Sequence, residues 1–339
     1  MAKHVVLVTG ANGEIGRALL QELARGSESE IVALDLTPLH DAMSDCVAAS
    51  YTGNIVDKSL LDQLAAQHEM DKIFHLAALL STRGERDPEL SHRVNVEGTL
   101  NVLRMAQNQS SRLGRPVQVL FPSSIAVYGL PSLAEKRSVG RIREDQWNAP
   151  ITMYGCNKLY CEHLGRYFTY HARQLGALSG ATRLDFRAVR FPGLISADTL
   201  PMGGTSDFGP EMIHAAARGH SYSCFVEPET RIPFMAMPDA VRALVELARA
   251  DSSRLTTRVY NVGAFNPSAE EIAKRVHEAF PRSRIDYAPD AARSRIVASW
   301  PEDVDDARAR ADWGWHPLYD WRRAFDEYLF PTIDARSRR

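Results

Sequence analysis

The residues best suited to chemistry are a tyrosine and a lysine four positions apart, in Thr152-Met153-Tyr154-Gly155-Cys156-Asn157-Lys158. In a helix, positions i and i+4 share a face one turn apart. A phenol with its ordinary pKa of about 10 is a poor base near neutrality. A fixed ammonium group nearby would favour the phenolate and bring that pKa down toward the working range. Gly155 lets another group approach the backbone closely. Ser123-Ser124 closes an apolar run that begins at Pro116. A hydroxyl there could hydrogen-bond the oxygen of a reacting alcohol or ketone. The same Tyr-x-x-x-Lys spacing also arises as a surface aromatic beside a snorkelling lysine, so the surrounding elements must decide.

Residues 4–9 form a short run rich in β-branched side chains. It ends at Gly10-Ala11-Asn12-Gly13-Glu14-Ile15-Gly16, and an amphipathic stretch to about Ala24 follows. That order predicts a strand, a glycine turn and a helix. Such a turn lets a phosphate approach the helix N-terminus, where free N–H groups and the dipole favour an anion. The next run, 31–34, ends in Asp35, 19 residues after Gly16. A carboxylate there is placed to accept hydrogen bonds from an adenosine ribose. Further strands are expected at 47–51, 72–78, 116–124 and 185–191, and helices at 58–67, 91–111 and 154–175. Strands joined by helical crossovers predict a parallel sheet covered on both faces. The expected class is therefore α/β: a Rossmann-type doubly wound parallel sheet. Strand ends near Gly10, Asp35, Ala77, Ser124 and Phe191 would line its carboxyl edge, where such sheets bind ligands. His75, inside an apolar run, reads as a hydrogen-bonded core residue.

Beyond Phe191 the texture changes to loops at 192–196 and 201–207, with short elements between them. Asp239 is a candidate N-cap, and Ser268 with Glu271 a candidate capping box. The expected division is a Rossmann domain over 1–190, with 230–262 returning to it. A smaller discontinuous α/β substrate-binding lobe takes 191–229 and 263–330, and 331–339 is a basic, solvated tail.

Composition bounds the partners. The 339 residues are 45% hydrophobic and 24% charged, with a net charge of −2. That balance gives no field for nucleic acid or an anionic membrane. Cys46, Cys156, Cys161 and Cys224 have no metal-ligand spacing, so no metal is expected. Cys156, near a helix start, reads as a packed residue rather than an activated thiol. No apolar run is long enough to span a membrane. Met1-Ala2-Lys3 leads straight into a strand, so no signal or transit peptide is expected. These features read as a cytoplasmic protein with a small-molecule substrate.

Together these residues resemble the extended short-chain dehydrogenases/reductases, in the NAD-dependent epimerase/dehydratase superfamily. The stretches 75–81, 122–129, 190–196 and 203–207, Ser299-Trp300-Pro301 and Asp312-Trp313-Gly314-Trp315 are most similar to its L-threonine 3-dehydrogenase branch. The resemblance implies roles. Tyr154 would be the general base, Lys158 its partner and a ligand of the nicotinamide ribose, and Ser124 the hydroxyl that positions substrate. Gly10, Asn12, Gly13, Glu14, Ile15, Gly16 and Asp35 would hold NAD. Asn54 and Ile55 would lie at the adenine, with Leu76, Ala77, Ala78 and Phe191 further along the cofactor. Ser81, Gly204, Thr205 and Arg231 would meet substrate, with Arg83 a second candidate cation. The implied activity is NAD-dependent oxidation of the 3-hydroxyl of L-threonine or a close 3-hydroxy acid, in a homodimer. The alternatives are a nucleotide-sugar epimerase or dehydratase and a non-catalytic NAD-binding redox sensor. Segments 130–150 and 172–184 are longer than expected of threonine dehydrogenases.

Overall fold

A computed structural model describes residues 4–26, 29–172, 184–201 and 204–337. Seven strands form the central parallel sheet: β1 His4–Thr9, β2 Ser29–Asp35, β3 Ala49–Thr52, β4 Met70–His75, β5 Gln118–Ser124, β6 Asp185–Phe191 and β7 Val259–Asn261. Their order is β7-β6-β5-β4-β1-β2-β3. The order reverses at β1, which lies between β4 and β2, with Val6 opposite Ile31 on one side and Lys72 on the other. The flanking helices include α1 Glu14–Arg25, α2 Lys58–Gln67, α3 Gly98–Leu113, α4 Met153–Tyr170 and α5 Met237–Arg249. Buried residues run unbroken along β1 and β5 instead of alternating, because a parallel sheet is covered on both faces.

The chain divides into two compact units. The first takes Met1–Ser123, Cys156–Val189 and Val241–Val259; the second takes Ser124–Gly155, Arg190–Ala240 and Tyr260–Arg339. The stretch 124–155 joins the second unit instead of the Rossmann part, and only 241–259 of the expected return segment joins the first. The first unit has one apolar core in which Leu7, Val32, Ile73, Val102, Val119 and Phe186 are almost fully buried.

The second unit holds three two-stranded parallel sheets: Gly193–Ile195 with Phe234–Ala236, Ser221–Cys224 with Arg284–Tyr287, and Arg141–Ile142 with Asp303–Val304. Phe208 packs edge-on against Phe225 and Phe234, with ring centroids 6.1 and 5.4 Å away. The helix Ala269–Ala279 starts with the expected capping box, Ser268 and Glu271 each accepting the other's backbone N–H. The segment 130–150 is folded into this unit. It carries a helix, Leu133–Val139, and its Lys136 donates to the Val297 carbonyl at 3.3 Å. Glu144 accepts the Asn261 N–H at 3.0 Å, and burial raises its carboxyl above the usual range.

Four local expectations are corrected. β4 stops at His75 instead of 78, because its partner β1 ends at Thr9, the residue paired with His75. The helix expected over 91–111 is interrupted by a π-helical turn, Arg93–Glu97. There the Asn95 carbonyl accepts the Thr99 hydroxyl and the Cys161 thiol, in keeping with the placement of such turns near functional sites. Asp239 is not an N-cap. It lies inside the first turn of α5, and its carboxylate takes the backbone N–H groups of Leu318 and Tyr319. The expected tail is helical over Phe330–Ser337, with Ile333 buried. α4 ends at Tyr170 and His171 and Ala172 form a turn; residues 173–183 lie outside the described residues.

Candidate functional site

The first unit brings together the glycine turn, Asp35 and the stretch 76–78. β1 ends one residue before Gly10, which has φ +71°. A Cβ there would stand 2.7 Å from the Ala77 backbone nitrogen, and one at Gly16 would stand 2.3 Å from the Gly10 carbonyl oxygen. Glycine is required at both places because the turn, the 76–78 stretch and the helix start converge. α1 begins after Gly13 with no side-chain cap, and Gly13 and Glu14 are exposed. An exposed helix N-terminus with no side-chain cap is the kind of place where a pyrophosphate is held. Asp35, the last residue of β2, accepts the Asn12 N–H at 2.9 Å and the Thr37 N–H at 3.2 Å. It stays part-accessible, and a carboxylate retains lone pairs for a ribose diol. The residues therefore fit NAD. Asn54 is exposed and holds its own turn by accepting the Val56 N–H, while Ile55 is buried against Gly98.

Two chemical groups are built in the second unit. Ser124, at the end of β5, accepts the Ala126 N–H at 3.2 Å and hydrogen-bonds the Tyr154 hydroxyl. Thr152 accepts the Gly155 N–H and so fixes the start of α4. A Cβ on Gly155 would meet the Ala126 carbonyl oxygen at 2.1 Å, so this glycine allows the close approach expected of it. The sequence expectation for Tyr154 is corrected in one respect. The residue keeps some accessible surface, yet burial pushes its hydroxyl up to about 12, against the smaller opposing effect of the Ser124 hydrogen bond.

Lys158 follows one turn later on α4, in the first unit. Its ammonium donates to the Pro122 carbonyl at 2.7 Å and lies 4.4 Å from the centre of the Phe121 ring. Burial lowers it to about 8, while Cys161 and Glu162 act to raise it. His75 bonds the Thr9 and Thr99 hydroxyls at 2.8 and 3.0 Å. Burial, then the Lys158 charge, pushes it down to about 3, so it is a neutral core residue. Burial and the Glu85 charge raise the Cys156 thiol, the opposite of activation.

The other candidates are placed as follows. Ser81 is buried and opens the helix Ser81–Arg86, on which Arg83 is exposed. Thr205 is buried. The Gly204 N–H donates to Asp207 at 2.6 Å, and the Gly204 carbonyl accepts from Arg293. Arg231 braces its unit, bonding Glu271 at 2.6 Å and the Asn266 carbonyl at 2.8 Å. Phe191 is buried at the end of β6. Sequence reading missed Asn95, Glu144 and Glu162. Of these, Glu162 alone carried a signal: it is i+4 from Lys158, one turn further along the same helix face.

The profile of the NAD dependent epimerase/dehydratase family matches residues 6–263. The chain belongs to that family. It is 33% identical over 318 residues to the mitochondrial L-threonine 3-dehydrogenase of Bos taurus, covering 93% of this chain and 79% of that one. It superposes with a TM-score of 0.84 on a monomeric L-threonine 3-dehydrogenase from a metagenome, at 33% identity over 98% of this chain and 99% of the other. The L-threonine dehydrogenase of Clostridium difficile gives 0.85 at 29% identity, covering 99% of each chain. Family membership and these likenesses make the protein an enzyme of the extended short-chain dehydrogenase type, similar to threonine 3-dehydrogenases. No helix among the described residues is long and apolar enough to cross a membrane.

Proposed function

We propose that the protein oxidises the 3-hydroxyl of L-threonine, or of a close 3-hydroxy acid, to 2-amino-3-oxobutanoate or its analogue. The observation that carries this reading is the Ser124–Tyr154 hydrogen bond with Lys158 one turn further along the same helix, in a chain 33% identical to named threonine dehydrogenases. Gly10, Gly13, Gly16 and Asp35 would hold NAD, which when bound would supply the acceptor for the C3 hydride. Ser124 orients the substrate oxygen, and Tyr154 takes the hydroxyl proton as the C–H bond breaks. Lys158 steadies the charge that develops on the phenol and anchors the cofactor ribose. Because Tyr154 sits at about 12 and Lys158 at about 8, kcat/KM should rise with pH through neutrality and stop rising where Lys158 loses its proton.

The test is NADH formation by purified protein with L-threonine, other 3-hydroxy acids and UDP-sugars. Turnover of L-threonine supports the reading. Silence toward it beside turnover of a UDP-sugar overturns it. The bracing of Arg231 by Glu271 and Asn266 favours the small acid, since that cation is engaged within its own unit. A pure redox sensor would have no use for a serine, tyrosine and lysine set of this kind. Cytoplasmic location and homodimer assembly through α3 and α4 belong to the same proposal, and the mass in solution decides the second.

NAD should be preferred over NADP. The Asp35 carboxylate suits a ribose diol and repels a 2′-phosphate, and it already draws Asn12 and Thr37 toward itself. Asp35→Ala should narrow the preference. Equal kcat/KM with both cofactors in the unaltered protein would mean that this carboxylate does not face the ribose.

A further inference from the structure

Behind Lys158 lies a buried carboxyl group that the mechanism above does not use. Tyr154, Lys158 and Glu162 occupy successive turns of one face of α4. Glu162 and Ser123 are each only 2% exposed, and the Ser123 hydroxyl donates to Glu162 Oε1 at 2.5 Å. That bond occupies one of the lone pairs of the carboxyl group. A carboxylate is rarely held so deep without a partner, because stripping its water is costly.

The groups around Lys158 can be assigned one by one. β5 presents the Phe121 ring face, the Pro122 carbonyl and the Ser123 hydroxyl. β4 presents His75, which burial keeps neutral. On α4 itself, one turn back, is Tyr154, also neutral. Cys161 is bonded to Thr99 of α3, and burial raises its thiol to about 11, so it carries no charge near neutrality. Glu162 is the acidic group that remains among these.

We propose that Glu162, held in place by the Ser123 hydroxyl, is a positioning residue for Lys158: its carboxylate supplies the countercharge that keeps the buried ammonium protonated against the Pro122 carbonyl. The inference rests on the reading in which Lys158 serves Tyr154 and the cofactor. Ser123 then has a role separate from its neighbour. Ser124 meets Tyr154, and Ser123 fixes the carboxylate behind Lys158.

The test is Glu162→Gln, which keeps the shape and the Ser123 contact but removes the charge. The chain has six lysines, at 3, 58, 72, 136, 158 and 274, so the side-chain signals of 13C-labelled lysine can be followed through a pH titration and Lys158 assigned with Lys158→Met. The Lys158 midpoint should fall by about one unit or more, the scale of losing one nearby opposite charge. In turnover, the deficit of the Gln variant should be larger at pH 8 than at pH 6, because the lysine recovers its proton as pH falls. An unchanged midpoint, or a deficit equal at both pH values, overturns the proposal and leaves Glu162 as packing only. If the Gln variant does not fold, Ser123→Ala is titrated the same way, with a fall of the same sign expected and an unchanged midpoint equally fatal. The titration needs no substrate. A shifted midpoint beside silence toward L-threonine would sink the substrate reading and leave this one standing.

Discussion

Tyr154→Phe should lower kcat by about 10²–10⁴-fold, the span of general acid–base contributions, while NAD affinity stays nearly unchanged. The substitution removes one oxygen and keeps the ring that fills the start of α4. Ser124 still accepts the Ala126 N–H, so the end of β5 keeps its geometry. What is lost is the group that receives the substrate proton. The environment makes this loss more pH-sensitive than the sequence suggests. Burial holds the hydroxyl at about 12, so the unaltered enzyme gains phenolate as pH rises and its kcat should climb with it. The Phe variant lacks that group, and its residual rate should be flat over the same range. The measurement is kcat against pH for both proteins, with NAD binding followed by fluorescence. A Phe variant turning over near the normal rate would remove Tyr154 from the mechanism.

Much of this site was legible because local rules set it. The glycines at 10 and 16 are dictated by backbone approach, which a sequence announces by residue type. Asp35 is placed by the length of one βαβ unit. The capping box at Ser268 and Glu271 is a three-residue pattern and formed as written. What was not legible depends on contacts distant in sequence. Nothing near residue 76 says that β4 must end early; that follows from where its partner strand stops, at Thr9. The π-helical turn at Arg93–Glu97 arises where Asn95 must bond Thr99 and also Cys161, from a different helix. The Tyr154 shift has the same origin. A Tyr-x-x-x-Lys spacing states that an ammonium is one turn away, but not how strongly burial opposes it, nor that the lysine donates to Pro122. The substrate residues were the least legible. Gly204 and Arg231 suggest free donors by type, yet each is engaged within its unit, by Asp207 and by Glu271.

The double variant Lys158→Met with Glu162→Gln should be inactive and more stable than the unaltered protein at pH 7. Lys158 and Glu162 are 4% and 2% exposed. Replacing a buried charge pair by uncharged side chains of similar volume is often neutral or stabilising by about 1–4 kcal/mol. The sign of the pH dependence follows from Lys158. Its folded pKa, about 8, lies below the ordinary 10.5 because burial disfavours the charged form. Between those values the unfolded chain holds the proton that the folded chain releases, so the stability of the unaltered protein rises with pH across that window. The penalty is present in full below pH 8 and is gone above 10.5. At 1.36 kcal/mol per unit it amounts to about 3 kcal/mol. The advantage of the double variant should therefore be largest at or below pH 8 and shrink steadily toward pH 10.5. Lys158→Met alone should gain less, because it leaves the Glu162 carboxylate buried with Ser123 but without its cation. Urea unfolding of the three proteins at pH 7 and pH 10 measures each difference. A double variant less stable at pH 7, or an advantage that does not shrink with pH, would mean that the charged pair stabilises the fold. If the advantage appears as described, Lys158 is kept for chemistry at a cost to stability, as expected of groups that an active site cannot replace.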